Sequence, residues 1–317
     1  MARRFLFSCM RNEAPYALEW VAYHRMIGFD RIVVCSNDCE DNTPELLDAL
    51  AGIGWVTHIP NPTPEGVAPQ LHACARIGER PPWIDGDWVM FLDTDEFLNI
   101  HEGAGHLDDL LGHIDSADGV CVHWRLFGSG AQAGWQDLPV IERFQTAASA
   151  GEQLHEPVKT LFRWSPSIEA LHSHRPTLRP SFRDSGRYWV HGEGEAVPEK
   201  FYYTRLYMDG SPALRVPLVR SAFQWAQVNH YAVRSWPEFA AKARRGSGIY
   251  DDRHNQEYWK LYNQNDVRDL SIQRHLPALR EWIAEALRAP QVHLAQTRAV
   301  EHARQILAPS GGEQGSV

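Results

Sequence analysis

Trp88-Val89-Met90-Phe91-Leu92-Asp93-Thr94-Asp95-Glu96-Phe97 sets five apolar residues directly before an acidic triplet. Five apolar residues in a row, without alternation, read as a strand buried on both faces, as in the middle of a parallel sheet. Parallel strands need crossover segments, and the chain on the N-terminal side supplies them. Residues 5–9 and 31–35 are further apolar runs. Between them, Leu18, Val21, Ala22 and Met26 recur at helical spacing within residues 14–27, and Gly28 follows as a stop. Thr43-Pro44-Glu45 opens a second helix, with Leu46, Leu47 and Leu50 on one face and Gly52 and Gly54 at its end. Residues 55–59 fit a third strand, 67–77 a third helix and 120–124 another strand. This rhythm predicts an α/β fold, a mostly parallel open sheet flanked by helices. Ligands of such sheets bind at the carboxyl ends of the strands.

Beyond residue 126 the rhythm weakens. Residues 128–139 and 165–199 are rich in Gly, Pro, His and charge and read as loops able to close over a substrate. A late strand is expected over 222–231, a short helix over 237–245, and one or two amphipathic helices over 276–307, interrupted at Pro290. The expected organisation is a main domain over 1–270, a helical extension over 271–308 and a loose tail over 309–317. The 317 residues include 31 Lys and Arg against 40 Asp and Glu, a formal charge of −9, which argues against a general nucleic-acid binder. The hydrophobic share of 44%, with 12 Trp, 10 Tyr and 12 Phe, is enough for a substantial core. No apolar run approaches the ~20 residues of a spanning helix. The start reads as a first strand and not as a leader peptide. Cys9, Cys35, Cys39, Cys74 and Cys121 are scattered and odd in number, so reduced thiols in a cytoplasmic protein are expected.

The chemistry lies in Asp93-Thr94-Asp95. On a continued strand, alternation points Asp93 and Asp95 to the same face. Two carboxylates held together repel, and a divalent cation relieves that cost while also binding phosphate oxygens. The other reading is that the acids cap the following turn.

Asp93-Thr94-Asp95-Glu96-Phe97 resembles the DTDEF form of the Asp-x-Asp motif of GT-A-type glycosyltransferases, in a bacterial family-2-like branch. Arg11-Asn12-Glu13-Ala14-Pro15 with Glu19-Trp20-Val21-Ala22-Tyr23-His24 is similar to that branch's opening, and Ile27-Gly28-Phe29-Asp30 continues it. Asn37, Asp41 and Thr43 resemble its second loop; Trp124 with Phe127-Gly128-Ser129 and Val158-Lys159-Thr160 with Arg163 match later segments. Asn229-His230-Tyr231 with Ser235, Phe239, Lys242 and Arg245-Gly246 is similar to its last block. The resemblance spans roughly residues 5–270.

It implies a GT-A (Rossmann-like) transferase using a nucleoside-diphosphate sugar with Mn2+ or Mg2+, and a glycan or glycolipid hydroxyl as acceptor. Asp95 would ligate the ion, Asp93 would reach ribose or the ion through water, and His230 would be the third ligand. Imidazole beside carboxylates suits Mn2+ better than Mg2+. Arg11, Asn12 and Glu13 would lie near the base or ribose, although Asn12 and Glu13 also suit a helix start. Family members place an Asp where Ser36 stands, so Asn37 and Asp38 are candidates for reading the base. Lys159 and Lys242 are candidate phosphate contacts, as are Arg244 and Arg245. The family-2 resemblance implies inversion with a downstream carboxylate as base. Glu156 is favoured, with Asp184, Glu193 and Glu195 as alternatives. Trp124, Trp135, Trp164 and Trp189 could stack on sugars or fill the core, and His172 and His174 lack a third metal partner. Two other readings stay open, a metal-dependent phosphohydrolase or nucleotidyltransferase and a non-catalytic sugar-nucleotide binder. The C-terminal helices, with Arg274, Arg280 and Arg288, suit a peripheral contact at the inner membrane or core packing.

Overall fold

A computed structural model describes residues 2–114, 116–150, 155–198, 201–202, 223–245 (Arg245 by its backbone only) and 255–307. The expected strand start at Ala222, Gly246 of the last motif block and the tail over 309–317 lie outside these residues. The N-terminal half alternates as expected: β1 (Arg4–Met10), α1 (Ala14–Met26), β2 (Arg31–Ser36), α2 (Thr43–Gly52), β3 (Thr57–Pro60), α3 (Pro69–Glu79) and β4 (Trp88–Phe91). Then come β5 (Glu96–Ile100), α4 (Leu107–His113), β6 (Gly119–Leu126), α5 (Val140–Arg143), β7 (Thr146–Ala147), β8 (Val158–Arg163), β9 (Ile168–Ala170) and β10 (Thr177–Leu178). The chain continues with α6 (Ser181–Asp184), β11 (Val190–His191), β12 (Ala226–His230), α7 (Trp236–Arg245), α8 (Gln256–Tyr262) and β13 (Val267–Arg268). Helices α9 (Leu276–Leu287) and α10 (Pro290–Ile306) end it.

The main sheet runs β3-β2-β1-β4-β8-β6-β12-β5, with β11 also on β6. Strands β3, β2, β1 and β4 are parallel. β8 enters antiparallel between β4 and β6, and β5 is antiparallel to β12. Both faces are covered. Leu6, Ile32, Val34, Met90 and Val122 pack toward α1, α2, α9 and α10. Their alternates Phe5, Phe7, Val33, Val89 and Phe91 pack toward α3, residues 168–197, Phe201 and Tyr202. Burial on both sides explains why the strands lack alternation in sequence. The α/β class with a mostly parallel sheet is thus the observed one, and α9 and α10 add their apolar faces to the same core.

β6 belongs to two parts of the sheet. Residues 119–123 pair with β8, and residues 124–126 pair with β12. The sheet curls at this point and returns β5 to the carboxyl end of β4. Residues 92–95 are therefore a turn, not a strand extension. Among the described residues no helix is long and apolar enough to cross a membrane. Arg274 donates to the carbonyl of Gly103 (3.3 Å) and Arg280 to Glu142 (2.7 Å), so both are engaged within the chain.

Candidate active site

Because the strand ends at Phe91, the expected alternation of Asp93 and Asp95 does not hold. The turn sends the two carboxylates to different partners. Asp93 accepts from Gln70 Nε2 (2.8 Å) and from Lys159 Nζ (2.7 Å). Asp95 accepts from Lys242 Nζ (2.5 Å), and its Oδ2 lies 3.8 Å from His230 Nε2. The backbone of the turn is fixed too: Tyr231 N–H donates to Asp95 O (2.8 Å), and Trp20 Nε1–H donates to both Asp93 O and Glu96 O (3.0 Å each). The block around Glu19 and His24 is thus a mounting for the turn. Glu19 accepts the N–H groups of Val140 and Ile141, Tyr23 donates to Leu98 O, and His24 stacks on Phe97.

Lys159 is fully buried and sits between Asp93 and Glu96, with Glu96 Oε2 at 2.9 Å. Burial alone would lower its ammonium, but the two carboxylates outweigh that and raise it. Burial, with Asp93 and Asp95 nearby, pushes Glu96 up to about 8. Burial opposes the charge of Asp95, yet Lys242 and His230 hold its carboxyl well below the usual carboxylate range. Burial lowers His230, against the opposing pull of Asp95. The His230 ring lies 4.2 Å from that of Trp124, which in turn is 5.3 Å from His174.

Three non-glycine residues with positive φ among those described converge on this edge: Asn12 (54°), Asp38 (43°) and Arg234 (54°). Such backbone costs about 1–3 kcal/mol per residue and marks places that packing holds in shape. Asn12 Oδ1 accepts from Glu40 N (2.7 Å), and Asp38 Oδ2 from Thr63 N (3.3 Å). Arg234 lies over the Tyr16 ring (3.6 Å), 3.6 Å from Glu13 Oε2, and donates to Thr94 O (3.4 Å). It therefore ties the β1–α1 loop to the acid turn. Asp41 joins the starts of two helices, accepting from Ala14 N (3.1 Å) and Thr43 N (2.9 Å).

Of the remaining candidates, Arg11 is half-buried at the end of β1, and Asn37 is buried, accepting from Asn61 Nδ2 (2.5 Å). Glu156 lies at the same edge: β8 runs antiparallel with Val158 opposite His123, so residue 156 falls at the carboxyl end of β6. Glu193 and Glu195 follow β11, beside the first residues of β12, and His230 ends that strand about 13 Å away. Asp184 is exposed on α6. The structure thus gathers Asp93, Asp95, His230, Lys159, Lys242 and Glu156 at one edge and leaves Asp184, Glu193 and Glu195 elsewhere. Trp135, Trp164 and Trp189 pack in core clusters, and only Trp124 of the four meets His230. Sequence reading missed Gln70 and Arg234, which no local pattern signals, and Glu96 and Trp20, which stood inside quoted motifs.

Asp95 and His230 suit a divalent ion. Their facing atoms, 3.8 Å apart, lie within the span of two ligands each about 2.1 Å from one ion. No cluster of three His, Cys, Asp or Glu side chains able to hold a metal occurs among the described residues, so further ligands would come from the substrate or water.

No family model matches the chain. A glycosyltransferase family 92 protein of Ricinus communis is 27% identical over 207 residues, which are 61% of this chain and 36% of that one. The chain is similar to glycosyltransferases in sequence. A second family 92 protein, from Oryza sativa subsp. japonica, is 30% identical over 103 residues, covering 32% of this chain and 17% of its own. The chain spans about a third or less of the length of these curated relatives. Among solved structures, S. aureus TarS aligns over 96% of this chain and 54% of its own, with 12% identity and a TM-score of 0.36. TarS 1–349 in complex with UDP-GlcNAc aligns over 98% of each, with 11% identity and a TM-score of 0.34.

Proposed function

We propose that the chain is a nucleotide-sugar-dependent glycosyltransferase of GT-A type that moves a sugar from a nucleoside diphosphate to a hydroxyl of a glycan or glycolipid, with inversion. The observation that carries this reading is the acid turn at the carboxyl edge of the sheet, with Asp95 facing His230 at 3.8 Å. The similarity to family 92 glycosyltransferases supports the same class.

In this reading Asp95 and His230 hold a Mn2+ or Mg2+ ion. When bound, the ion acts as a Lewis acid that offsets charge on the departing diphosphate. Asp93, held by Gln70 and Lys159 away from Asp95, orients the donor ribose through an accepted hydroxyl hydrogen bond. Arg11, Asn12, Glu13, Asn37 and Asp38 line the loops beside it and select the base and ribose. Lys242 binds phosphate oxygens. Glu156 takes the proton of the attacking acceptor hydroxyl, which requires its carboxylate within hydrogen-bond reach of that group.

The test is a calorimetric titration with UDP, GDP, ADP and CDP, each with and without Mn2+, because Ser36 leaves the base open. One diphosphate should bind, more tightly with Mn2+. Asp95→Ala should abolish donor hydrolysis, and Glu156→Gln should lower transfer at least 100-fold while leaving donor affinity intact. Folded protein that binds none of the four diphosphates rules the reading out. Binding without turnover against any acceptor favours a sugar-nucleotide binder. Hydrolysis of the free diphosphate favours a phosphohydrolase.

A further inference from the structure

Asp95 has one carboxylate oxygen at which two cations would compete. Oδ2 is the atom that His230 Nε2 faces, and it is the atom that accepts from Lys242 Nζ. The ammonium has a second anchor, the carbonyl of Ala232 (2.9 Å). An ion ligated by Asp95 Oδ2 and an ammonium on the same oxygen would stand a few ångströms apart and repel in a site that water scarcely reaches. The Asp95 side chain is 11% exposed and that of Lys242 17%.

Lys242 also has somewhere to go. It lines a cavity of about 410 Å3 whose walls include Asn12, Glu13, Arg234 and Arg244. A lysine carries its charge on a flexible four-carbon stem and re-aims without moving the helix beneath it. The α7 backbone itself is held firmly: Glu238 on its first turn pairs with Arg143 (2.8 Å) and accepts from Tyr16 (2.9 Å). The helix is therefore a rigid base, and the side chain is the movable part.

We propose that Lys242 is the resident counter-cation of Asp95 in the ligand-free protein, and that it leaves Asp95 for the donor's diphosphate, opening that oxygen to a divalent ion. This rests on the transferase reading and adds to it an order of events. The ion binds weakly to the free protein, and the diphosphate both draws the ammonium away and completes the ion's shell. Lys242 then serves twice, first as a plug and afterwards as a phosphate contact.

The experiment measures free Mn2+ by electron paramagnetic resonance during titration of the wild type, Lys242→Met and Lys242→Gln, without nucleotide and with the diphosphate that binds best. Circular dichroism identifies folded protein, and the glutamine variant, which can still bond Ala232, stands in if the methionine variant misfolds. Loss of the ammonium should raise Mn2+ affinity about tenfold without nucleotide and weaken diphosphate binding. Adding Asp95→Asn to the lysine variant should erase the gain. Equal or weaker Mn2+ binding by both lysine variants overturns the inference while leaving the transferase reading in place. So does a gain that survives Asp95→Asn. Absence of both Mn2+ and diphosphate binding in the wild type removes the transferase reading, and the inference with it.

Discussion

Lys159 Nζ and Glu96 Oε2 lie 2.9 Å apart, and neither side chain reaches solvent. The two residues come from β8 and β5, strands separated in the sheet by β6 and β12. Only the curl at β6 lets them meet. With Glu96 raised to about 8, the Lys159 ammonium meets a protonated carboxyl near pH 7, and a hydrogen bond to a charged group contributes about 1.5–3 kcal/mol. Lys159→Met should therefore lower the unfolding free energy by that amount in urea denaturation, and Lys159→Met/Glu96→Leu should recover most of it. A single-variant loss under about 1 kcal/mol would show that the pair contributes as little as a surface salt bridge.

Trp20 bonds two carbonyls of the acid turn through one N–H. Trp20→Phe keeps the ring's bulk and removes that donor. Asp93 O keeps the amide of Glu96 (3.0 Å), while taking a donor from the buried Glu96 carbonyl costs about 1–3 kcal/mol. The variant should lose that much stability, and its Asp93 amide, which donates to Glu96 Oε2 (2.8 Å), should exchange with deuterium faster. Unchanged exchange would mean that Trp20 only fills space.

Asn12 and the choice between alanine and glycine isolate the backbone's share of the β1–α1 loop. Both substitutions remove the bond to Glu40 N, but only alanine pays for φ 54°. Asn12→Ala should be less stable than Asn12→Gly by about 1 kcal/mol. Equal stability would show that the loop relaxes out of this conformation.

Stability should peak near pH 6.5, for reasons that run in opposite directions. Burial holds His123 and His155 down to about 4, His24 to about 3 and His275 to about 4. Each of these is neutral in the fold, so its contribution is whole above about 6.5 and is lost as pH falls toward 4. Burial raises Glu19 to about 7 and Glu96 to about 8, so their contributions are whole below about 4.5 and are lost as pH climbs through those values. Between 4.5 and 6.5 the four histidines outweigh the two carboxyls. Above 6.5 only the carboxyls still change. Thermal unfolding from pH 4.5 to 8.5 checks this: His155→Phe should flatten the acid arm and Glu96→Gln the alkaline one. A midpoint that keeps rising past pH 8 contradicts it.

The parallel part of the fold was legible because its strands bury both faces, and unbroken apolar runs such as Val89 to Leu92 record that directly. Helix α1 was legible from its period, although it is buried on nearly every side. The meeting of Asp95 and His230 was anticipated only through family resemblance, since they stand 135 residues apart and no local rule joins them; Lys242, expected as a phosphate contact, was not anticipated as a partner of Asp95. What misled was the extension of strand periodicity past Phe91. The β4 hydrogen-bond ladder stops before the acids, so the turn, not the pleat, aims Asp93 and Asp95. Asp184 and Glu193 were indistinguishable from Glu156 as sequence, because the antiparallel entry of β8, which brings the backbone at residue 156 to the carboxyl end of β6, leaves no local mark.

Asp41 carries one more implication. The amides of Ala14 and Thr43 at the starts of α1 and α2 point at its carboxylate, so an internal anion already sits where many folds welcome a phosphate. On the proposed reading, a charged guest would then be met by side chains and not by these two helix ends. Selectivity for that guest then becomes a matter of a few substitutable lysines and arginines, which lets evolution retune it without redrawing the backbone.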